Sequence, residues 1–186
     1  IALTICLGLF CGLFCRPPQY NERAYKYLER QEFQLAKNSL QKLLSSEPND
    51  PYALNNLAII YWRENNFEEA EKLFERAVNN ISQLELDKQK YLYLNRGIFY
   101  KTIKQNKKAI AEMKQSLDKA ETRTYCALYS LYKTLGYKKS MRRLQEEYIY
   151  RDLKDDCKGY EDQFLFFFKE ITPIEERGFL RLLNGL

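Results

Sequence analysis

The same side-chain types recur at an interval of 34 residues along the first half of the polar part of the chain. Residues 24–44 ("AYKYLERQEFQLAKNSLQKLL") align with residues 58–78 ("AIIYWRENNFEEAEKLFERAV") without a gap. Small, aromatic and bulky apolar positions coincide: Ala24 with Ala58, Tyr27 with Tyr61, Phe33 with Phe67, Ala36 with Ala70, and Leu40 with Phe74. A period of this length is typical of stacked helical hairpins, because one hairpin cannot bury its apolar face alone.

The composition agrees with a helical chain and argues against catalysis. Among 186 residues there are only seven glycines and five prolines, the residues that disfavour helix interiors most strongly. The chain has no histidine, and therefore lacks the commonest general base and metal ligand. The motifs of phosphate-binding loops and serine hydrolases are also absent from the sequence. We therefore expect no enzyme activity, no cofactor and no small-molecule substrate.

Two further units extend the repeat pattern. Residues 94–113 form a third copy after a short insertion near residues 85–89, and Gly97 occupies the small position. Residues 125–148 form a weaker fourth copy, which aligns if one residue is deleted after Gly136. The pattern predicts one repeat array over residues 16–148.

The spacing resembles the tetratricopeptide repeat, a helix–turn–helix unit with small residues at positions eight and twenty, an aromatic at eleven and proline at thirty-two. Counted from Pro17 and Pro51, the first unit has the closing Pro48, whereas the second has Ser82 at that place. The resemblance implies an all-α, right-handed helical-hairpin solenoid of about three to four repeats. It also implies that a protein or peptide partner binds in a concave groove lined by the first helix of each repeat.

By this resemblance, the groove in the second and third repeats would be lined by eight partner-binding side chains: Asn55, Asn56, Ile59, Trp62, Arg63, Leu94, Asn95 and Ile98. Asparagine amides can bind a peptide backbone as both donor and acceptor. Tryptophan and arginine are the residue types that most often anchor interfaces. The alternative for Trp62 is packing against the neighbouring repeat.

The repeat pattern stops after Tyr148. Residues 159–171 are strongly apolar on one side and include "FLFFF" at 164–168, and residues 172–186 begin with a capping box, a signal that a helix starts. Because a stacked array exposes an apolar face at its last repeat, we predict C-terminal capping helices over residues 149–186. The alternative is an exposed apolar patch that receives a partner or a membrane.

Residues 1–15 form an uncharged apolar leader that ends in a cysteine. The run is shorter than the roughly 20 residues of a membrane-spanning helix. It is similar to the signal of bacterial lipoproteins, in which a cysteine after the apolar stretch is lipidated, and this implies lipidation of Cys15 or, as an alternate, Cys11. Phe14 and Phe10 stand where that pattern prefers small residues, so two other interpretations stay open: an uncleaved membrane anchor, and a segment that is buried or has no such role.

Two cysteines lie beyond the leader, Cys126 and Cys157. A single bridge between them is conceivable in an oxidising compartment, but two cysteines are too few for a disulfide framework, and we favour two independent thiols.

Together these patterns predict a membrane-tethered scaffold or adaptor of the bacterial cell envelope that binds a protein or peptide. The alternative is a helical-repeat RNA-binding protein that uses the lysines of residues 101–119, although the net charge of +5 is low for a nucleic-acid binder. A cytosolic scaffold is the third hypothesis.

Overall fold

The computed structural model of the chain describes residues 20–117, residues 122–148 and Cys157. These residues contain α-helices and one 3₁₀ turn but no strand, so the predicted all-α class is confirmed. The α-helices are α1 (Tyr20–Glu29), α2 (Phe33–Ser46), α3 (Pro51–Arg63), α4 (Phe67–Asn79), α5 (Leu86–Thr102), α6 (Asn106–Ser116), α7 (Thr122–Thr134) and α8 (Lys138–Tyr148).

The helices form four consecutive hairpins, α1–α2, α3–α4, α5–α6 and α7–α8, here called hairpins 1 to 4. Each first helix packs on its own second helix, and each second helix packs on the first helix of the next hairpin. The first helices of hairpins 2, 3 and 4 also contact one another in sequence. This arrangement is the predicted helical-hairpin solenoid. The predicted leader (1–15) and C-terminal capping helices (149–186) lie outside the described residues, apart from Cys157.

The same left-handed turn closes all four hairpins. Gln31, Asn65, Lys104 and Gly136 have φ angles of 60°, 60°, 61° and 70°. In each turn the next residue donates its backbone N–H to the carbonyl oxygen of a tyrosine five residues back, at 2.8–2.9 Å: Tyr27, Tyr61, Tyr100 and Tyr132. These bonds satisfy helix-end carbonyls, as in a Schellman motif. The aromatic position of the repeat therefore coincides with the residue that accepts this bond.

Small side chains let the two helices of a hairpin approach closely. Ala24 and Ala58 have no exposed surface, and Gly97 is buried at the same place in hairpin 3. A Cβ atom built on Gly97 would lie 2.8 Å from Cγ of Met113 and 3.3 Å from the carbonyl oxygen of Ala109. A methyl group at this point therefore requires at least the Met113 side chain to shift.

The predicted insertion lies between hairpins 2 and 3. The chain forms a 3₁₀ turn at Ile81–Gln83 and then the 17-residue helix α5, whereas α3 has 13 residues. Leu84, between the two elements, is buried. The extra residues therefore add a turn and lengthen a helix without separating the neighbouring hairpins.

Local signals start the helices of hairpin 2. Asp50 accepts a hydrogen bond at its side chain from the backbone N–H of Ala53, and Pro51 follows at the first helical position. Asn66 accepts a bond at its side chain from the backbone N–H of Glu69 at the start of α4. Both helices therefore begin where the sequence supplies a cap.

A disulfide joins Cys126 of α7 to Cys157, with their Cα atoms 5.4 Å apart. The interpretation of these cysteines as independent thiols was wrong, and the bridge that we considered the lesser alternative is present. The reason is proximity in the fold, which brings residue 157 back to α7 across a sequence separation of 31. Closing a loop of this length stabilises a fold by roughly 3–4 kcal/mol in the chain-entropy account.

Candidate partner-binding groove

The first helices line one side of the solenoid, and a chain of asparagine amides connects three of them. Asn95 of α5 donates from Nδ2 to Oδ1 of Asn55 at 2.9 Å. Asn55 donates to Oδ1 of Asn56 at 3.1 Å, and Asn56 donates to Oδ1 of Asn21 at 3.4 Å. All four residues are at most 2% exposed. The chain of bonds therefore fixes α1, α3 and α5 relative to one another in a water-poor layer, where a lost hydrogen bond is costly.

Five of the eight predicted partner-binding residues lie inside this layer rather than at the surface. Asn55, Asn56, Ile59, Leu94 and Asn95 have no exposed surface. The three asparagines bond to one another, so a partner could reach their amides only by displacing these bonds. The role of these five residues in partner binding therefore stays a prediction.

The other three predicted residues are accessible. Trp62 and Ile98 are half-buried, and Arg63 is exposed. Trp62 packs edge-on against Phe99 of hairpin 3, with ring centroids 5.7 Å apart. The alternative role of Trp62, packing against the neighbouring repeat, therefore holds for one edge of its indole. The guanidinium of Arg63 lies 5.1 Å from the ring centroid of Phe33 in hairpin 1. These contacts position the side chains of Trp62 and Arg63 at the borders between hairpins.

The groove can be defined in all four hairpins by counting back from the left-handed turn residue. The position ten residues before that turn holds Asn21, Asn55, Leu94 and Cys126. The disulfide therefore starts from the residue of hairpin 4 that corresponds to Asn55 and Leu94. Beside it, Tyr125 is 4% exposed and stacks on Tyr129 with centroids 6.0 Å apart. Burial raises the pKa of the Tyr125 hydroxyl, and its neighbour Tyr129 adds to the shift.

Sequence reasoning missed the ring cluster that joins hairpins 2 and 3. Phe99 is fully buried and lies within 5.4–6.5 Å, centroid to centroid, of four rings: Trp62, Phe67, Phe74 and Tyr100. The repeat pattern does not assign an aromatic residue to this position, since hairpins 1 and 2 hold Lys26 and Ile60 there. The only available signal was the adjacent pair of aromatic residues at 99–100.

The outer side carries charges of opposite sign on neighbouring hairpins. Helix α4 has four glutamates, and α6 has three lysines. Lys108 of α6 contacts Glu71 of α4 at 3.0 Å, and its Nζ lies 4.8 Å from the ring centroid of Tyr100. Burial raises the pKa of Tyr100 to about 12, against an opposing effect of Arg96 and with a further rise from Glu71. The tyrosine hydroxyl therefore stays neutral well above neutral pH.

Two kinds of site were sought among the described residues, a cluster of metal ligands and a membrane-spanning helix. Within these residues, no three histidine, cysteine, aspartate or glutamate side chains are grouped so that they could bind a metal ion. Within the same residues, no helix combines the length and the apolar character that crossing a bilayer requires. What the geometry provides is a set of packed helices and their surfaces.

The sequence profile of the tetratricopeptide repeat family matches residues 21–84, which are hairpins 1 and 2 with the following 3₁₀ turn. Hairpins 3 and 4 continue the same turn geometry in register. Residues 21–84 are therefore similar to tetratricopeptide repeats, and the described helices share the hairpin stack of that family. In this family the repeats are generally non-catalytic and bind other proteins, so the matched hairpins support a protein–protein interaction scaffold.

Solved structures share the fold of this repeat protein. PilF of Pseudomonas aeruginosa superposes with a TM-score of 0.61 at 16% identity, over 70% of this chain and 59% of PilF. BtubC of P. vanneervenii superposes with a TM-score of 0.61 at 17% identity, over 82% of this chain and 68% of BtubC. At these identities the likeness shows the fold alone. No curated protein matches the sequence.

Proposed function

We propose that this repeat protein is a membrane-tethered adaptor of a bacterial cell envelope that binds a protein or peptide partner at the groove. The observation that carries the location is the Cys126–Cys157 disulfide. Disulfides persist in exported proteins and are rare in the reducing cytosol. The bridge supports the envelope over the cytosolic hypothesis independently of the leader.

The leader supports the tether. Residues 1–15 carry no charge and end in Cys15, followed by Arg16 and two prolines. A lipid attached at Cys15, or at Cys11, would bury acyl chains, with each methylene contributing about 0.8 kcal/mol, and more than one chain gives stable attachment. The prolines favour an extended spacer between the membrane and the first hairpin.

The accessible part of the groove supports partner binding. Trp62, Arg63 and Ile98 combine an indole, a cation and an aliphatic side chain on adjacent first helices. Such a surface fits a peptide with apolar side chains and a carboxylate that pairs with Arg63. The buried asparagines have a positioning role, because they hold α3 and α5 together beneath this surface.

The tether is tested by membrane fractionation and metabolic lipid labelling of the full-length protein with Cys15→Ala, Cys11→Ala and both together. We expect Cys15→Ala to lose the label and to leave the membrane fraction, with Cys6→Ala as the matched control in the same leader. A label that persists in the double variant contradicts lipidation at both cysteines.

The groove is tested by in-cell cross-linking and capture with Trp62→Ala and Arg63→Ala, compared with Lys72→Ala, which changes an exposed residue of α4. We expect the two groove variants to lose the same captured protein while circular dichroism shows unchanged helicity. Asn56→Ala is a poor test, since it also removes a buried hydrogen bond. Equal capture by all three variants contradicts the groove as the binding site.

A second candidate, RNA binding, is favoured by one observation on the outer side. Lys104, Lys107 and Lys114 are exposed on α6 and the turn before it. Phosphate contacts from these lysines would make log affinity fall with log salt, by roughly 0.7 for each contacted phosphate of a single strand. Titration of a labelled single-stranded RNA at several salt concentrations checks this. Binding that is absent or independent of salt excludes it.

A further inference from the structure

The four left-handed turns lie side by side along one edge of the array, here called the turn edge. Because each hairpin reverses the chain once and packs on the next, successive first helices run in the same direction and their turns meet at one edge. Contacts between neighbouring turns agree with this. The guanidinium of Arg63 at the second turn lies over the ring of Phe33 after the first, and the ring of Phe67 after the second lies 6.5 Å from Phe99 before the third.

The charge of the turn edge changes halfway along the array. Around the turns of hairpins 1 and 2, residues 29–37 and 63–72 carry acidic as well as basic side chains. By contrast, residues 88–111 and 122–145, which contain the turns of hairpins 3 and 4, include no aspartate or glutamate. The exposed lysines of this half, here called the basic edge, are Lys104, Lys107, Lys133, Lys138 and Lys139. The described part of the chain forms no ion pair with any of these five lysines.

Three lysines of the basic edge stand where a cation destabilises a helix. Lys107 lies in the first turn of α6, and Lys138 and Lys139 lie in the first turn of α8. The backbone N–H groups of a first turn carry partial positive charge, which favours glutamate there and disfavours lysine. In hairpin 2 the place of Lys107 and Lys139, three residues after the left-handed residue, holds Glu68. An anionic partner therefore explains these lysines better than folding does.

A tyrosine ring stands among these lysines. Tyr137, at the tip of hairpin 4, is 48% exposed and directly precedes Lys138. Tyrosine beside lysine is typical of the headgroup level of a bilayer, where an apolar ring or stem is buried and the polar end stays in water. Single-stranded RNA binds instead to several exposed rings on which successive bases stack, whereas Phe99 and Tyr100 beside the third turn are buried. The chemistry of the basic edge therefore favours a lipid surface over RNA.

We propose that the basic edge binds the headgroups of anionic phospholipids, so that the turns of hairpins 3 and 4 rest on the membrane surface. The inference deepens the proposed function and rests on its membrane tether, which keeps the array near a bilayer. Each lysine close to an anionic surface strengthens binding roughly fivefold, and the attraction falls off within a Debye length of about 8 Å. The same surface repels the turn of hairpin 2, where residues 63–72 include four glutamates and two cations, so the contact also orients the array.

The test uses the full chain with the photo-reactive amino acid benzoylphenylalanine in place of Tyr137, bound to vesicles of equimolar phosphatidylcholine and phosphatidylglycerol. We expect lipid adducts at this position, detected by mass spectrometry, in severalfold higher yield than with vesicles of phosphatidylcholine alone. Benzoylphenylalanine in place of Leu35 is the matched control, because Leu35 is 46% exposed and lies in hairpin 1. Equal yields at the two positions, or in the two kinds of vesicle, overturn the proposal.

Charge-matched variants separate the place of the cations from the net charge. Lys138→Gln with Lys139→Gln removes two positive charges from the basic edge, and Arg30→Gln with Lys42→Gln removes two exposed positive charges from hairpin 1. We expect the first pair to lower the adduct yield from position 137 severalfold and the second pair to leave it unchanged. Circular dichroism should show unchanged helicity in both. Equal losses in the two pairs would mean attraction by net charge alone and overturn the proposal.

Other partners of the basic edge give different products. Adducts of position 137 with added single-stranded RNA, formed at the expense of lipid adducts, assign the edge to RNA and overturn the proposal. Cross-linked dimers assign it to a second copy of the chain and overturn it as well.

Failure of the tether is distinguishable from failure of the basic edge. If the leader is not lipidated, metabolic label is absent, but the dependence of the adduct yield on phosphatidylglycerol in added vesicles should persist. If the basic edge does not bind lipid, that dependence is absent while labelling and membrane fractionation are unaffected.

Discussion

In hairpin 2, Leu57 and Leu73 are both 3% exposed, whereas the same positions of hairpin 3 hold the ion pair of Arg96 and Glu112. The pair is nearly buried, with side-chain exposures of 14% and 13%, and within the described part of the chain Arg96 Nε and Glu112 Oε2 have no hydrogen-bond partner. Both hairpins nevertheless share the same turn and the same close approach of their helices. The comparison shows that the small residue and the turn determine how the two helices of a hairpin pack. The flanking pair of positions can then hold two apolar side chains or two side chains of opposite charge.

The largest expected effect concerns the ring cluster between these hairpins. Phe99→Ala removes the ring that four others contact and should lower the free energy of unfolding by about 3–5 kcal/mol. Ile60→Ala, the same position in hairpin 2, should cost less because it removes a smaller side chain. Urea denaturation followed by circular dichroism measures both. Equal losses would show that the hairpins do not differ here.

The ion pair gives the next largest effect. Glu112→Ala leaves Arg96 without its partner in a nearly buried place and should cost roughly 3 kcal/mol. Replacing both residues with leucine, as in hairpin 2, should be neutral or stabilising by about 1–4 kcal/mol. Thermal denaturation of the single and double variants measures the contrast. A double variant as unstable as the single one refutes the equivalence of the two pairs.

Tyr100 makes hairpin 3 sensitive to alkaline pH. The pKa of Tyr100 is raised to about 12 in the folded protein, from an ordinary value of 10.0, so folding favours the neutral hydroxyl. The contribution of Tyr100 to the free energy of unfolding is therefore complete below pH 10 and is lost as the pH rises through 12. The loss is on the order of 2 kcal/mol. Tyr100→Phe should therefore flatten the decline in thermal stability between pH 10 and 12. A decline equal to that of the wild type would assign it to other groups, with the buried Tyr125 and Tyr132 as the next to test.

The turns differ in the strain that they carry. Lys104 adopts the left-handed conformation that costs most L-residues about 1–2 kcal/mol, whereas Asn65 tolerates it better. Lys104→Gly should stabilise the chain by about 1 kcal/mol, and Asn65→Gly by less. Gly136→Ala should destabilise it by a similar amount through backbone strain alone, since nothing lies within 4 Å of the added methyl group. Melting temperatures that shift in the opposite directions contradict this reading of the turns.

The smallest effect is expected at the contact that links the two hairpins on the outside. Lys108 is 53% exposed and Glu71 is 28% exposed, so Lys108→Ala should cost only about 0.2–1 kcal/mol. Added salt should reduce the difference from the wild type. A larger, salt-independent loss would mean that Lys108 acts through its stem against Tyr100.

The fold was predictable because stacking requires small side chains at fixed intervals. Ala24, Ala58 and Gly97 marked the hairpins in the sequence, whereas the left-handed turns after the aligned tyrosines were found only in the structure. The groove was harder to predict from the sequence. The spacing of the repeat indicates the side of the helix on which Asn55 and Asn95 lie, but not whether their side chains bond to each other. The pairing of Cys126 with Cys157 could not be predicted because it depends on the path of the chain after the repeat array. The ion pair of Arg96 and Glu112 could not be predicted either, because tertiary packing determines how the two helices that carry these residues are aligned.

The asparagine chain limits how the hairpins could be exchanged. Hairpins 1 to 3 each contribute an amide to it, whereas hairpin 4 has Cys126 and Ala127 at the corresponding positions. Transplanting hairpin 4 into the middle of the array would strand an amide on either side. Although the repeats are evenly spaced in the sequence, a hairpin can be added or removed without breaking these hydrogen bonds only where the asparagine chain ends.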